Sequence, residues 1–149
     1  MSPARLHSLI RIRKSERDQR VQELAVASRH QSRLLSDELS LRHEHAQAVA
    51  AARQSEQTDL IDVRSLAAHR AHVTQLLAAI EGMAVELEAA ARRVEGERQR
   101  VVAADQKLQM LERLCEKEQM ELDRRVARRA QFELEDAWGA RNPPLSHDL

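Results

Sequence analysis

A stripe of apolar residues repeats every seven positions through the second half of this chain. No polar residue occupies any of its nine positions, which are Leu66, Val73, Ile80, Leu87, Val94, Val101, Leu108, Cys115 and Leu122. Apolar companions follow three or four residues later, as Leu76, Met83 and Ala90 do. A mean spacing of 3.5 residues places these side chains on one helix face and favours packing in a left-handed coiled coil. The stripe therefore predicts an all-α coiled-coil protein.

Composition agrees with a narrow helix seam rather than a thick core. The chain has 149 residues, and Phe132 and Trp138 are its only aromatic residues. Length gives no reason to divide it, so we expect a single coiled-coil domain, residues 1–149. The 24 basic and 24 acidic residues leave a formal net charge of zero. A chain whose surface served nucleic acid would carry excess positive charge, so no nucleic-acid partner is expected.

The first half predicts a weaker helix that depends on the second. Ser2 before Pro3 is typical of a helix start, with the cap followed by proline at the first helical position. Apolar residues keep helical spacing up to about residue 55, but the seven-spaced series through Ile10 contains Arg17, Gln31 and Glu38. Polar seam residues contribute little to packing. We therefore expect helix one over residues 3–55 to be held by helix two.

The pattern fades between residues 56 and 62, where we predict a hairpin turn. Thr58, Asp59 or Asp62 could cap helix two, which should run from about residue 63 to 138 before a disordered tail at 140–149. Gly82 and Gly96 interrupt it and indicate a bend or a close contact. The 56 residues between Ile10 and Leu66 are a whole number of heptads, so one unbroken, dimerising helix is the alternative.

An antiparallel hairpin would place residue i opposite about residue 120 minus i, and helix two would outrun helix one by more than a dozen residues. Basic residues then gather at the open end, because both chain termini lie there. They are Arg5, Arg11, Arg13, Lys14, Arg17, Arg124, Arg125, Arg128 and Arg129. Such a cluster is either a solvated surface with ion pairs between helix neighbours or a site that binds an acidic cavity or ring.

No motif for catalysis or metal binding is apparent. None of the seven histidines follows a glutamate by three or lies four residues from another, which excludes the helical zinc and di-iron patterns. Cys115 is the single cysteine, and no glycine-rich loop could bind phosphate. We expect no enzyme activity, no catalytic or metal residues and no cofactor. Without a signal peptide or membrane-spanning run, a cytoplasmic protein is expected.

Three segments resemble the FliJ family, the coiled-coil hairpins of the flagellar type III export ATPase complex. The first is the opening helix, with Leu6, Leu9, Arg13, Glu16 and Leu24. The second follows the hairpin, with Leu76, Ala79, Ile80 and Glu81. The third spans the late part of helix two, with Val101, Ala104, Lys107, Leu108, Leu111, Glu112, Leu114, Glu116, Lys117, Leu134, Glu135, Asp136 and Ala137. The resemblance covers nearly the whole chain.

This resemblance implies an antiparallel two-helix hairpin similar to the central stalk of rotary ATPases. The paired termini would enter the hexameric export ATPase, and the hairpin side would contact the export gate membrane protein FlhA. Export chaperones are further expected partners, and membrane association would occur only through partners at the inner membrane. The gate surface implied by the resemblance consists of Glu38, Arg42, His45, Val49, His72, Leu76, Ala79 and Met83.

Other functions stay open at this point. A stalk protein of a type III secretion system would share the same features, and a homodimeric coiled-coil scaffold would need no ATPase. Asp59 and Asp62 could form an acidic tip that enters RNA polymerase, although helix capping explains both residues. Attachment to a membrane surface is a further possibility, through Leu6, Leu9, Ile10 and Ile12 with flanking arginines and Lys14.

Overall fold

A computed structural model describes residues 2–57 and 62–144 of the chain. Helix α1 spans Pro3–Glu56 and helix α2 spans Val63–Arg141, and no strand occurs within these residues. The two helices pack against each other, which confirms the all-α, two-helix hairpin. The unbroken helix is therefore wrong, because α1 ends at Glu56 and the chain bends at Gln57 before α2 begins.

Short polar residues start both helices. The Arg5 amide donates to the Ser2 hydroxyl over 3.4 Å, as the Ser-Pro start predicts. At the start of α2 the Arg64 amide donates to the Asp62 carboxylate over 3.1 Å, so Asp62 is the cap. Thr58 and Asp59, the other cap candidates, lie outside the described residues. The Asp62 side chain thus accepts a hydrogen bond from the first turn of α2, as a capping residue does.

The end of α2 lies further along the chain than the sequence indicates. The predicted end near residue 138 is wrong, since the helix continues through Gly139 to Arg141. A glycine within a helix lowers its stability by about 1 kcal/mol relative to alanine. Glycine ends a helix when it adopts a positive φ, and Gly139 does not. The Asn142 amide still donates to the Trp138 carbonyl over 2.9 Å, and proline follows at 143 and 144. Residues 140 and 141 are therefore helical, and residues 145–149 of the predicted tail lie outside the description.

The interior glycines of α2 make no close contact. A methyl group placed on Gly82 or Gly96 would meet no atom within 4 Å outside the local helix backbone, and neither glycine has a positive φ. The close-contact interpretation of these two residues is therefore wrong. Each of them lowers the local helix propensity.

The described chain divides into two units, and unit 2 comprises residues 18–57 and 62–103. Small and aliphatic side chains form its seam, and the most buried are Ala27, Leu34, Ala48, Leu76, Ala90 and Val94. Near the turn, the Glu56 carboxylate pairs with the Arg70 guanidinium over 3.2 Å. This contact joins the end of α1 to the start of α2, as an antiparallel hairpin requires. The predicted pairing places residue 64 opposite Glu56, so the observed partner lies six residues further along α2.

Unit 1 comprises residues 2–17 and 104–144. Leu6 of α1 and Leu108 of α2 are its two fully buried large side chains, with 0% and 1% of their surface exposed. Arg17 lies 4.0 Å from the Asp105 carboxylate of the other helix. Residue 17 of α1 therefore lies beside the middle of α2, two residues from the predicted pairing.

The seam of unit 2 contains one buried carboxylate. Glu97 is 8% exposed and occupies the heptad position that Ala90 fills one repeat earlier. One of its oxygens accepts a hydrogen bond from Arg100 over 3.1 Å, but Oε2 has no partner among the described residues. A buried carboxylate oxygen without a partner loses its hydration without compensation. Glu97 is thus a weak point of the seam.

Candidate functional site

Within residues 2–57 and 62–144, no other helix covers the C-terminal part of α2. Every residue from 121 to 141 is exposed, although all 21 are helical. We call this segment the α2 extension; at 1.5 Å per residue it is about 30 Å long. Leu122, the last predicted seam residue, is 43% exposed, and Cys115 is the last member of the stripe that is even half-buried. The stripe therefore continues past the point where α1 can cover it.

All nine basic residues predicted to bind the ATPase ring belong to unit 1. Several of the α1 members have a nearby acid: Arg13 pairs with Glu16 over 2.8 Å, and Arg17 lies beside Asp105. Arg5 and Arg11 are exposed on the same helix, and so is Lys14. The cluster on α1 is thus partly neutralised by its neighbours.

The four arginines on the α2 extension are more available than those on α1. Arg129 lies 3.6 Å from Glu133, but their side chains are 85% and 72% exposed, so water screens this pair strongly. Arg124, Arg125 and Arg128 form no ion pair within the described part of the chain. Positive charge that is neither buried nor paired can bind an acidic partner without first breaking an internal contact.

Apolar residues of the α2 extension follow a different spacing from the seam. They recur every fourth residue, and we call this row the extension ridge: Leu122, Val126, Ala130, Leu134 and Trp138. Val126, Leu134 and Trp138 are 61%, 71% and 69% exposed. At 100° per residue the middle of the ridge points away from Arg124 and Arg128. The α2 extension therefore carries an apolar row that nothing in the described chain covers, with Asp123 and Glu133 beside it on the same side of the helix.

A shallow groove lies where the two helices of unit 1 meet. His7, Ile10 and Lys14 line it from α1, and Cys115 and Met120 are among its α2 residues. The groove is open and is lined by both apolar and charged groups. It marks the last point at which α1 covers α2.

The predicted gate surface belongs to unit 2. On α1, Glu38 and Arg42 pair with each other over 2.9 Å, and His45 and Val49 are half-buried. The four remaining residues lie on α2 and are His72, Leu76, Ala79 and Met83. Among those four, His72 and Ala79 are exposed and Met83 is half-buried. Leu76 is only 7% exposed, so its side chain supports the seam instead of facing a partner.

One of the apolar residues that the membrane-surface alternative requires is not accessible to a membrane. Leu6 is completely buried against the other helix, and Leu9 and Ile10 are half-buried, which leaves Ile12 at 53% exposure. No helix in the described residues is long and apolar enough to cross a membrane. Within the same residues, no group of three or more histidine, cysteine or acidic side chains could hold a metal ion.

Sequence reasoning missed two features of this region. The extension ridge was overlooked because its four-residue spacing differs from the heptad that dominates α2. The second seven-spaced series of α1, which includes the buried Leu6, Ala27, Leu34 and Ala48, was obscured by Arg13 and Arg20 at two of its positions. Both features could have been found by testing each helix for more than one apolar row.

Comparison with known proteins does not identify a family for this chain. No family model, curated protein or solved structure matches the chain. The resemblance to the FliJ family therefore stays a prediction that rests on the residues quoted above.

Proposed function

We propose that this protein is a non-enzymatic stalk and coupling subunit of the flagellar type III protein export apparatus. Its basic terminal segments would enter the hexameric export ATPase and promote ring assembly or hydrolysis. The observation that supports this most is the α2 extension, a fully exposed helix that carries Arg124, Arg125, Arg128 and Arg129. A ring lined by acidic residues would attract these side chains, and the exposed pair of Arg129 with Glu133 is the one ion pair within the described residues that would be lost.

The second proposed contact is with the export gate protein FlhA. Seven residues of the gate surface have side chains that are exposed or half-buried and belong to unit 2: Glu38, Arg42, His45, Val49, His72, Ala79 and Met83. Because the ATPase residues all belong to unit 1, the two contacts would use separate residues. A substitution at one site should therefore leave binding at the other unchanged. Export chaperones would be further partners, at the cytoplasmic side of the inner membrane.

Purified export ATPase tests the proposal directly. Wild-type protein should bind the ATPase and raise its hydrolysis rate or oligomerisation. A variant with Arg124→Glu, Arg125→Glu and Arg128→Glu should lose most of this effect, because three exposed positive charges become negative. The matched control is Arg29→Glu with Arg33→Glu, which reverses two exposed arginines of unit 2 and should keep the effect.

Two results would contradict the proposal. One is wild-type protein that neither binds the ATPase nor changes its assembly or hydrolysis. The other is an equal loss of effect in both charge-reversed variants, which would show a response to total charge alone. Running the assay with a secretion-system ATPase alongside the flagellar one separates the two export systems. The preferred enzyme is the one stimulated at the lower concentration of this protein.

A further inference from the structure

We propose that the α2 extension binds the same segment of a second copy of this chain, as an antiparallel helix pair centred on Ala130. This inference does not rest on the proposed function, because it concerns the protein alone. It starts from the extension ridge, which lies on an exposed helix with no covering element in the described chain.

The ridge is symmetric about its central residue. Ala130 lies between Val126 and Leu134, and these lie between Leu122 and Trp138, each step being four residues. A two-fold axis through Ala130 places Val126 beside the second copy's Leu134, and Leu122 beside the second copy's Trp138. Ala130 would meet its own equivalent, where a small side chain permits close approach. Ridges of this spacing interdigitate at a crossing angle of about −50°.

Charge around the ridge is self-complementary in the same arrangement. Residues 122–129 contain Asp123 and four arginines, a formal charge of +3. Residues 131–138 contain Glu133, Glu135 and Asp136, a formal charge of −3. Antiparallel pairing about Ala130 sets each positive half against a negative half, whereas parallel pairing would set like against like. An isologous contact needs this kind of self-complementary surface.

The same charges argue against an anionic membrane as the occupant of the ridge. Helices that lie on such membranes carry lysine and arginine along the whole polar border. Here Glu133 and Asp136 follow the arginines within two turns. A second copy offers opposite charge to both halves of the segment, whereas a uniformly negative surface offers it only to the positive half.

The contact should be weak. Two ridges crossing at one alanine would bury on the order of 1,000 Å², near the lower limit for a specific interface. We expect monomers at about 1 μM and a rising dimer fraction at several hundred micromolar, as transient interfaces of this size show. Trp138 is the only tryptophan and is 69% exposed, so its emission should shift to shorter wavelength as dimers form.

Charge reversal in two separate variants tests the pairing. One variant carries Arg125→Glu and Arg129→Glu, and the other carries Glu133→Arg and Asp136→Arg. Each alone should sediment as a monomer at concentrations where the wild type dimerises, because equal signs now face each other. An equimolar mixture should recover dimers, since opposite charges meet again across the pair. Circular dichroism of each variant checks that the helix persists.

Cross-linking tests the position of the axis. In a Cys115→Ser background, Ala130→Cys should oxidise to a disulfide-linked dimer at least tenfold faster than Arg128→Cys, which lies on the other side of the helix. Equal rates would overturn the centred, antiparallel arrangement. Wild-type protein that stays monomeric at several hundred micromolar, or a mixture that fails to recover dimers, would overturn the proposal altogether. Neither result would bear on ATPase stimulation, which needs a different assay.

Discussion

The two parts of helix α2 differ in whether α1 covers them. Up to about residue 118 its seven-spaced residues are covered to varying degrees by α1, and Leu108 is 1% exposed. From residue 121 onward every side chain is exposed, yet the segment is equally helical. Helix formation and helix burial are therefore separate properties of this sequence. The first part of α2 packs against α1 in the hairpin, and the second is an exposed surface.

The apolar spacing changes where the role changes. The paired part uses heptads, which keep a straight seam facing α1. The α2 extension uses steps of four, which turn slowly around the helix and suit a short crossing contact. The change in apolar period within this helix thus coincides with the point where α1 no longer covers it.

The largest expected contrast compares two leucines of α2. Leu108→Ala should lower the free energy of unfolding by about 2–4 kcal/mol, because it leaves a cavity in the seam. Leu134→Ala removes the same atoms from a side chain that is 71% exposed and should change stability by less than about 0.5 kcal/mol. Urea denaturation of dilute protein measures both. Equal losses would show that the α2 extension is buried after all.

A second prediction concerns the buried carboxylate of the paired part. Glu97→Leu should raise the free energy of unfolding by about 1–3 kcal/mol, because an unpartnered buried oxygen is replaced by an apolar side chain. Glu95→Leu is the matched control, since Glu95 is exposed and its replacement adds no buried contact. Thermal denaturation monitored by circular dichroism measures the stability of both variants. A loss of stability for Glu97→Leu would mean that the carboxylate makes a contact worth more than its burial costs.

A third prediction follows from the open surroundings of the glycines. Gly96→Ala should stabilise the hairpin by about 0.5–1 kcal/mol, since alanine has the higher helix propensity and its methyl group meets nothing within 4 Å. Gly139→Ala makes the same change in the α2 extension, where it should raise local helicity but leave the unfolding midpoint of the hairpin unchanged. A destabilised Gly96→Ala variant would show that α2 bends or makes a contact there.

The smallest expected effect is at the ion pair between the helices. Arg70→Ala should lower stability by about 0.2–1 kcal/mol, because the partners Arg70 and Glu56 are 68% and 48% exposed. Arg92→Ala, which removes an ion pair within α2 alone, should cost no more. Added salt should reduce both effects. A larger, salt-insensitive loss at Arg70 would indicate that this contact holds the turn together.

The sequence predicted the hairpin well because its signals are local and repeated. Nine apolar residues at heptad spacing define a seam, and Ser2 and Asp62 cap the helices as their chemistry suggests. The end of α2 was predicted three residues early, since the helix continues through Gly139 and ends at Arg141, just before Asn142 and the two prolines. Glu97 was not recognised as buried, since a charged residue at a seam position gives no sign of whether its carboxylate turns outward.

The candidate site was only partly predictable. The basic residues of both termini were expected to gather, and they do belong to one unit. The seam prediction included Leu122 because periodicity does not indicate where a partner helix begins. That limit depends on how far along α2 the start of α1 at Pro3 reaches, which is a property of the fold rather than of either helix alone.

Hydrogen exchange of dilute protein tests the central claim, that α2 is stabilised by α1 only as far as the seam extends. Amides of residues 104–118 should exchange as slowly as the hairpin unfolds, whereas those of residues 121–141 should exchange much faster because the segment is an isolated helix. Raising the protein concentration to several hundred micromolar should slow exchange in the second segment alone. Equally slow exchange of both segments in dilute protein would contradict the account.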